Sequence, residues 1–148
     1  MDHAIDQAET KASVLAAQIR AANGELSLAF AATEEEAARF QAAGGDLRTV
    51  LPSTEEIGQG FAAGRLPSGK AIMRAFMDAL VDDVCNPRAE LRKKIDATIK
   101  VGVGGLVGLL LGTLGLPGAA AGLLAPIAAA ITALGVRAFC EACKQQSR

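Results

Sequence analysis

The run of residues 101–136, VGVGGLVGLLLGTLGLPGAAAGLLAPIAAAITALGV, limits this chain more than any other feature. It carries no charged residue, and its only hydroxyl side chains are Thr113 and Thr132. Such a run must leave water, either inside the protein or inside a bilayer. The Pro117-Gly118 pair divides it, because Pro presets φ and Gly accepts a positive φ in a turn. The expectation is two apolar helices, residues 101–116 and 119–136, folded back on each other as a hairpin. At 1.5 Å per residue they would be about 24 and 27 Å long, slightly short of a bilayer core of about 30 Å.

The glycines of the first arm are patterned. Gly104, Gly108 and Gly112 stand four residues apart, on one helical face. Gly118 and Gly122 in the second arm are continued by Ala125, Ala129 and Ala133 at similar spacing. Faces of small residues let helix backbones approach closely, which drives association in lipid. In water each interior Gly costs about 1 kcal/mol relative to Ala, so either packing or a membrane must support these helices. Two settings follow: a membrane-inserted hairpin that packs through its glycines, or a hairpin buried as the core of a soluble helical oligomer.

Charge is distributed unevenly around this run. Residues 1–86 hold seven Lys/Arg against thirteen Asp/Glu. Arg88, Arg92, Lys93, Lys94 and Lys100 precede the hairpin, and Arg137 follows it. Basic residues on both flanks, with none at the tip, match the positive-inside pattern of a hairpin whose two ends stay cytoplasmic. They also suit attraction to anionic lipid. Nucleic acid is excluded as a partner on composition: the basic run is short, the rest is acidic, and five Phe are the only aromatic residues. The chain opens on polar and acidic residues without an apolar stretch, so no signal peptide is expected.

Helical periodicity runs through the remainder, which makes the expected class all-α. Ile5, Ala8, Ala12, Leu15, Ile19 and Ala22 repeat at spacings of three and four, a seam that requires a partner helix in this chain or in a second copy. Asn23-Gly24 interrupts it, although Leu26 and Ala29 hold the same register, so a helix that continues past the pair is the alternative. Thr33 with Glu36 and Ser53 with Glu56 read as capping boxes that open two further helices. Ser68 caps a helix over residues 69–84 whose face of Ile72, Met73, Phe76, Met77, Leu80 and Val84 reads as core. Asn86-Pro87 starts a helix with Leu91, Ile95 and Ile99 on one face and basic residues on another. No breaker separates it from the apolar arm, so residues 87–116 read as one long helix. The organisation expected is an acidic helical part, 1–86, bundle-like and cytoplasmic, and a second part, 87–148, of basic helix, hairpin and basic tail.

Two motifs have chemical precedents. Residues 64–70, GRLPSGK, fit the spacing of a phosphate-binding loop, but Ala71 follows Lys70 where a metal-binding hydroxyl belongs, and no strand pattern precedes Gly64. Cys140 and Cys143 form a C-x-x-C pair; with Cys85 and His3 they supply zinc-ligand types without a second close pair. Small apolar residues are the expected role of the three cysteines, with juxtamembrane lipid attachment, zinc or redox use as alternatives. His3 is the only histidine, and no nucleophile–base pair is visible, so neither an enzyme nor a cofactor is expected.

Ala8-Glu9-Thr10-Lys11-Ala12-Ser13, followed by Asn23, Gly24 and Leu26, resembles the opening signature of the membrane effectors of bacterial cyclic-nucleotide antiphage systems, the Pycsar-type effectors. That family continues from the signature into a transmembrane helix, whereas Glu25, Glu34, Glu35 and Glu36 follow here. The resemblance implies a membrane-damaging defence effector. The function expected is therefore a self-assembling, membrane-associated protein that forms pores or disrupts the bilayer. Its partners are lipid, further copies of itself, and a regulatory protein or small signal acting through residues 1–86. The alternative, from a different class, is a soluble cytoplasmic helical adaptor or scaffold with the hairpin as its core.

Overall fold

A computed structural model describes the backbone of residues 3–101 and 105–146. Gly104 and the side chain of Lys100 lie outside the described residues. Among those described the chain is all-α, without strands. The helices are α1 (His3–Ala21), α2 (Ser27–Ala42), α3 (Leu47–Val50), α4 (Glu55–Ala62), α5 (Gly69–Cys85), α6 (Glu90–Val101), α7 (Leu106–Leu114), α8 (Ala121–Leu134) and α9 (Val136–Gln146), with a 3-10 turn at Gly118–Ala120.

The architecture is a bundle wrapped around α8. Every residue from Leu123 to Ile131 is buried, Pro126 included. α1 and α2 cover one side of α8, α7 lies against another, and α9 turns away at its end to pack on α5. One hydrophobic cluster runs from Ala8 in α1 to Cys143 in α9, through both parts of the chain. The seam on α1 finds its partner within the chain: Ala8, Ala12, Ala16 and Ile19 are buried against α8. α1 ends as the Asn23-Gly24 pair suggests, with the Gly24 N–H donating to the Ile19 carbonyl at 2.8 Å.

Several local expectations need correction. Thr33 caps nothing: α2 starts six residues earlier, and the buried Thr33 hydroxyl donates to the Ala29 carbonyl at 2.8 Å, one turn back. The helix therefore passes through Glu34–Glu36, because the apolar residues Ala29 and Ala37 on its inner face outweigh the capping signal. At α4 the cap is Thr54, not Ser53; its hydroxyl accepts from the Ile57 N–H at 3.2 Å. Ser68 does cap α5, accepting from the Ala71 N–H at 3.1 Å. Asn86 accepts from the Arg88 N–H at 3.0 Å across a turn, and α6 begins at Glu90 rather than at Pro87.

The long helix expected over residues 87–116 is two helices. α6 is described to Val101 and α7 opens at Leu106, with Gly105 as its N-cap at φ +89, a left-handed conformation outside the helical range. α7 is thus only nine residues long. It closes at Gly115, where the Leu116 N–H donates to the Leu111 carbonyl at 3.0 Å, and Pro117 leads into the 3-10 turn.

Candidate functional site

The hairpin is clasped by α1 at both ends. Glu9 Oε1 accepts from the Gly105 N–H at 2.8 Å, at the residue that caps α7. The first N–H groups of a helix lack internal partners and carry the positive end of its dipole, so a carboxylate there is doubly suited. Arg20 Nη2 donates to the Thr132 carbonyl at 3.1 Å, in the last turn of α8. A cation at a C-terminal carbonyl is the complementary arrangement. One helix, through an acid near its start and a base near its end, thus satisfies the two opposite poles of the apolar hairpin. Gly24, just beyond α1, packs over Leu134 so closely that a Cβ would stand 2.9 Å from its Cδ2.

Between these two ties lies a charged cluster. Lys11 Nζ is 2.9 Å from Glu36 Oε1 on α2. Arg39 Nη1 donates to the same carboxylate at 3.3 Å and also pairs with Glu35. The Glu36 side chain is only 12% exposed because it rests on α8 at Gly122. A Cβ at residue 122 would come within 2.5 Å of Glu36 Oε2, so the absence of a side chain there is what admits the carboxylate. On the hairpin-tip side of the pair is an open cavity of about 480 Å³, with Phe40, Pro117 and Leu123 in its walls. On the other side is one of about 290 Å³, with Val14, Ala125 and Pro126.

The sequence-predicted packing residues divide. Gly122 mediates a close approach, but to Glu36 of α2 rather than to the first arm. Gly118 opens the 3-10 turn. Gly108 and Gly112 mediate no close approach among the described residues: a Cβ at either would meet nothing within 4 Å there. α7 instead faces the core with Leu106, Val107, Leu110 and Leu111, because larger side chains fill a water-excluding contact better. Gly108 and Gly112 line a shallow groove with Asp83, Glu90 and Lys94. The tightest small-residue contact is one read for another purpose. A Cβ on Gly69 would stand 1.9 Å from the Phe30 carbonyl oxygen, so this glycine seats α5 on α2. Lys70 lies over the Phe30 ring at 6.0 Å, and Gly69 and Lys70 are the first residues of α5, with no strand before Gly64 among the described residues.

The basic residues flanking the hairpin lie mostly on the surface. Arg88, Lys93, Lys94 and Arg137 are exposed. Arg92 is half-buried, pairs with Asp96 at 3.3 Å and donates to the Val84 carbonyl at 3.3 Å.

The cysteines depart from the role of inert small apolar residues. Cys85, at the end of α5, and Cys140, on α9, form a disulfide with Cα atoms 5.8 Å apart. The pairing spans 55 residues, so spacing along the chain carried no signal of it. The third thiol, Cys143, is buried beside it, and burial together with the negative charge of Asp78 pushes its pKa up to about 11. It therefore stays protonated at neutral pH. Among the described residues no cluster of His, Cys, Asp and Glu suited to a metal ion occurs.

No family model, no curated protein and no solved structure matches this chain. Function rests on the geometry alone. Among the described residues no single helix is long and apolar enough to cross a membrane. Residues Gly118–Leu134 and Val136–Gln145 pass that test together, but bend by 116° at Gly135.

Proposed function

We propose that this chain is a membrane-active protein held in a closed form, its apolar hairpin sheathed by α1 and α2 until a signal releases it. The clasp carries the reading. A core helix with fourteen uncharged residues meets a mainly alanine face on the side of α1 and α2, with Ala8, Ala12, Ala16, Ala29 and Ala37 beside Ile19, and larger side chains on the side of α7. Each buried CH₂ contributes only about 0.8 kcal/mol, so an alanine face holds α8 weakly for its length. Glu9 and Arg20 add directional ties that hold the two ends of the hairpin to α1, and Lys11 ties α1 to α2. Such ties are open to competition from water, ions or a ligand, as leucine packing is not. The stretch that resembles the Pycsar-type effectors contributes Glu9, Lys11 and Gly24 to the clasp, which supports an effector whose release is regulated. Once free, the hairpin meets anionic lipid with the basic residues of α6 and Arg137, and the unused face of Gly108 and Gly112 serves self-assembly. The ligand of the clasp is a small signal or regulatory protein acting on residues 1–86.

A second reading is favoured by one observation: α8 is buried from Leu123 to Ile131 by helices of its own chain. A soluble helical adaptor needs nothing more. Vesicles of phosphatidylcholine and phosphatidylglycerol loaded with a self-quenching dye separate the two. The double variant Glu9→Gln, Arg20→Gln is expected to release dye several-fold faster than the wild type. Both chains staying monodisperse in solution, with no dye release at any lipid ratio, would establish the adaptor and end the membrane reading.

A further inference from the structure

The 116° bend at Gly135 and the disulfide beyond it belong together. Gly135 has φ +84, a backbone conformation that an L side chain rarely adopts, and it separates α8 from α9 by a single residue. α9 is thereby folded back onto α5, where Val136, Phe139, Cys140 and Cys143 form its buried face. That face is short, and the outer face carries Arg137, Glu141 and Lys144. The covalent part of the attachment is Cys140 to Cys85. The two half-cystines bracket α6, α7, the 3-10 turn and α8, so one bond fastens both ends of the apolar segment to the end of α5.

We infer that the Cys85–Cys140 disulfide is a redox latch on the hinge at Gly135, and that its reduction frees α8 and α9 to straighten into one membrane-spanning helix. The inference rests on the membrane reading above and adds a covalent lock to the clasp of Glu9 and Arg20. Straightened, residues 118–145 form a helix about 42 Å long, against a bilayer core of about 30 Å. Arg137, Glu141 and Lys144 fall in its last turns, at the level of the headgroups, where long charged side chains reach water. While the bond stands, α9 cannot leave α5, and α8 alone is too short to span.

The chemistry requires a dithiol reductant from outside. Its thiolate attacks Sγ of Cys85, the more exposed of the two half-cystines. The bond to Cys140 breaks, and Cys140 leaves as a thiolate that takes up a proton. The second thiol of the reductant then displaces Cys85 from the mixed disulfide. Two electrons pass, the two cysteines end as thiols, and the reductant ends as a disulfide. Cys143 takes no part: it is buried one turn along α9 and protonated at neutral pH.

The test compares the full chain before and after dithiothreitol, with two readouts. Hydrogen exchange in α9 reports the hinge, and flotation with vesicles of phosphatidylcholine and phosphatidylglycerol reports insertion. Reduction is expected to speed α9 exchange by about tenfold or more, the signature of local release, and to move the chain onto the vesicles. Cys140→Ser should behave as reduced without reductant, and Cys143→Ser should still switch. Unchanged exchange on reduction overturns the latch; vesicle binding that is equal in both redox states would then leave the membrane reading standing without it. Faster exchange with no flotation overturns the membrane reading, and the insertion step with it. Loss of the response in Cys143→Ser overturns the assignment of the pair.

Discussion

At Gly69 a missing side chain decides how two helices meet, whereas at Gly112 it decides nothing among the described residues. Gly69→Ala would place a Cβ inside the Phe30 carbonyl, a backbone atom that cannot swing away, so a loss of about 3 kcal/mol is expected. Gly112→Ala meets open space and removes an exposed helical glycine, so a gain of up to about 1 kcal/mol is expected. Denaturant unfolding of the two variants checks both signs. Sequence pattern ranked these residues the other way, because spacing shows which residues share a face but not whether that face has a neighbour. Gly69 was hidden inside a familiar phosphate-loop spacing. Cys143 offers a separate test at this scale. Its pKa is raised from 9.0 to about 11 in the folded chain, so the fold favours its protonated form. That contribution is fully present below pH 9, where the thiol is protonated folded or unfolded. It is lost as pH rises from 9 toward 11, because only the unfolded chain then ionises. Thermal melts should show a fall in stability across that window that is smaller in Cys143→Ala than in the wild type.

The same contrast holds among whole helices. α1 was legible from its repeat of Ile5, Ala8, Ala12, Leu15 and Ile19, since a seam of that width has to face a helix, and α8 is that helix. α5 was legible from Ser68 onward for a similar reason: cap and apolar face agreed. The break between α6 and α7 was not legible, because a glycine-rich apolar run reads alike whether straight or turned at Gly105. At the break the Gly105 N–H is received by a carboxylate 96 residues away, Glu9, a contact that exists only in the fold. α7 consequently presents its glycine face outward, which makes a sharp prediction about assembly. Gly108→Leu should leave the closed chain within about 0.5 kcal/mol of the wild type, as a Cβ there meets nothing within 4 Å and the side chain faces an open groove. It should nevertheless prevent oligomers from forming in lipid, since close backbone approach is what a small-residue face provides there. Cross-linking in vesicles, read beside a denaturation curve in solution, checks the two halves separately. Retained oligomers would mean that assembly uses another surface.

For the molecule as a whole, the all-α class and the existence of an apolar hairpin were legible, and the way the hairpin is housed was not. Enclosure of α8 depends on helices α1 and α2 far away in the sequence, and the Cys85–Cys140 bond joins positions whose proximity exists only in the fold. A cross-link closing a 55-residue loop restrains the unfolded chain, so its removal in Cys85→Ser is expected to cost about 4 kcal/mol by the loop-entropy relation. Chemical denaturation of oxidised wild type against Cys85→Ser measures it. The order of the elements along the chain adds a consequence for biosynthesis. α1, α2 and α5 all precede α8, and translation at roughly 10 residues per second separates the first of them from α8 by about ten seconds. The trough is therefore synthesised before the helix that fills it. A nascent chain interrupted after α5 carries an empty cradle of alanines, and one that continues delivers its most aggregation-prone segment directly into a waiting receptor. Reversing that order by circular permutation, with the same residues and the same final contacts, would expose the apolar run to the cytosol for the whole interval.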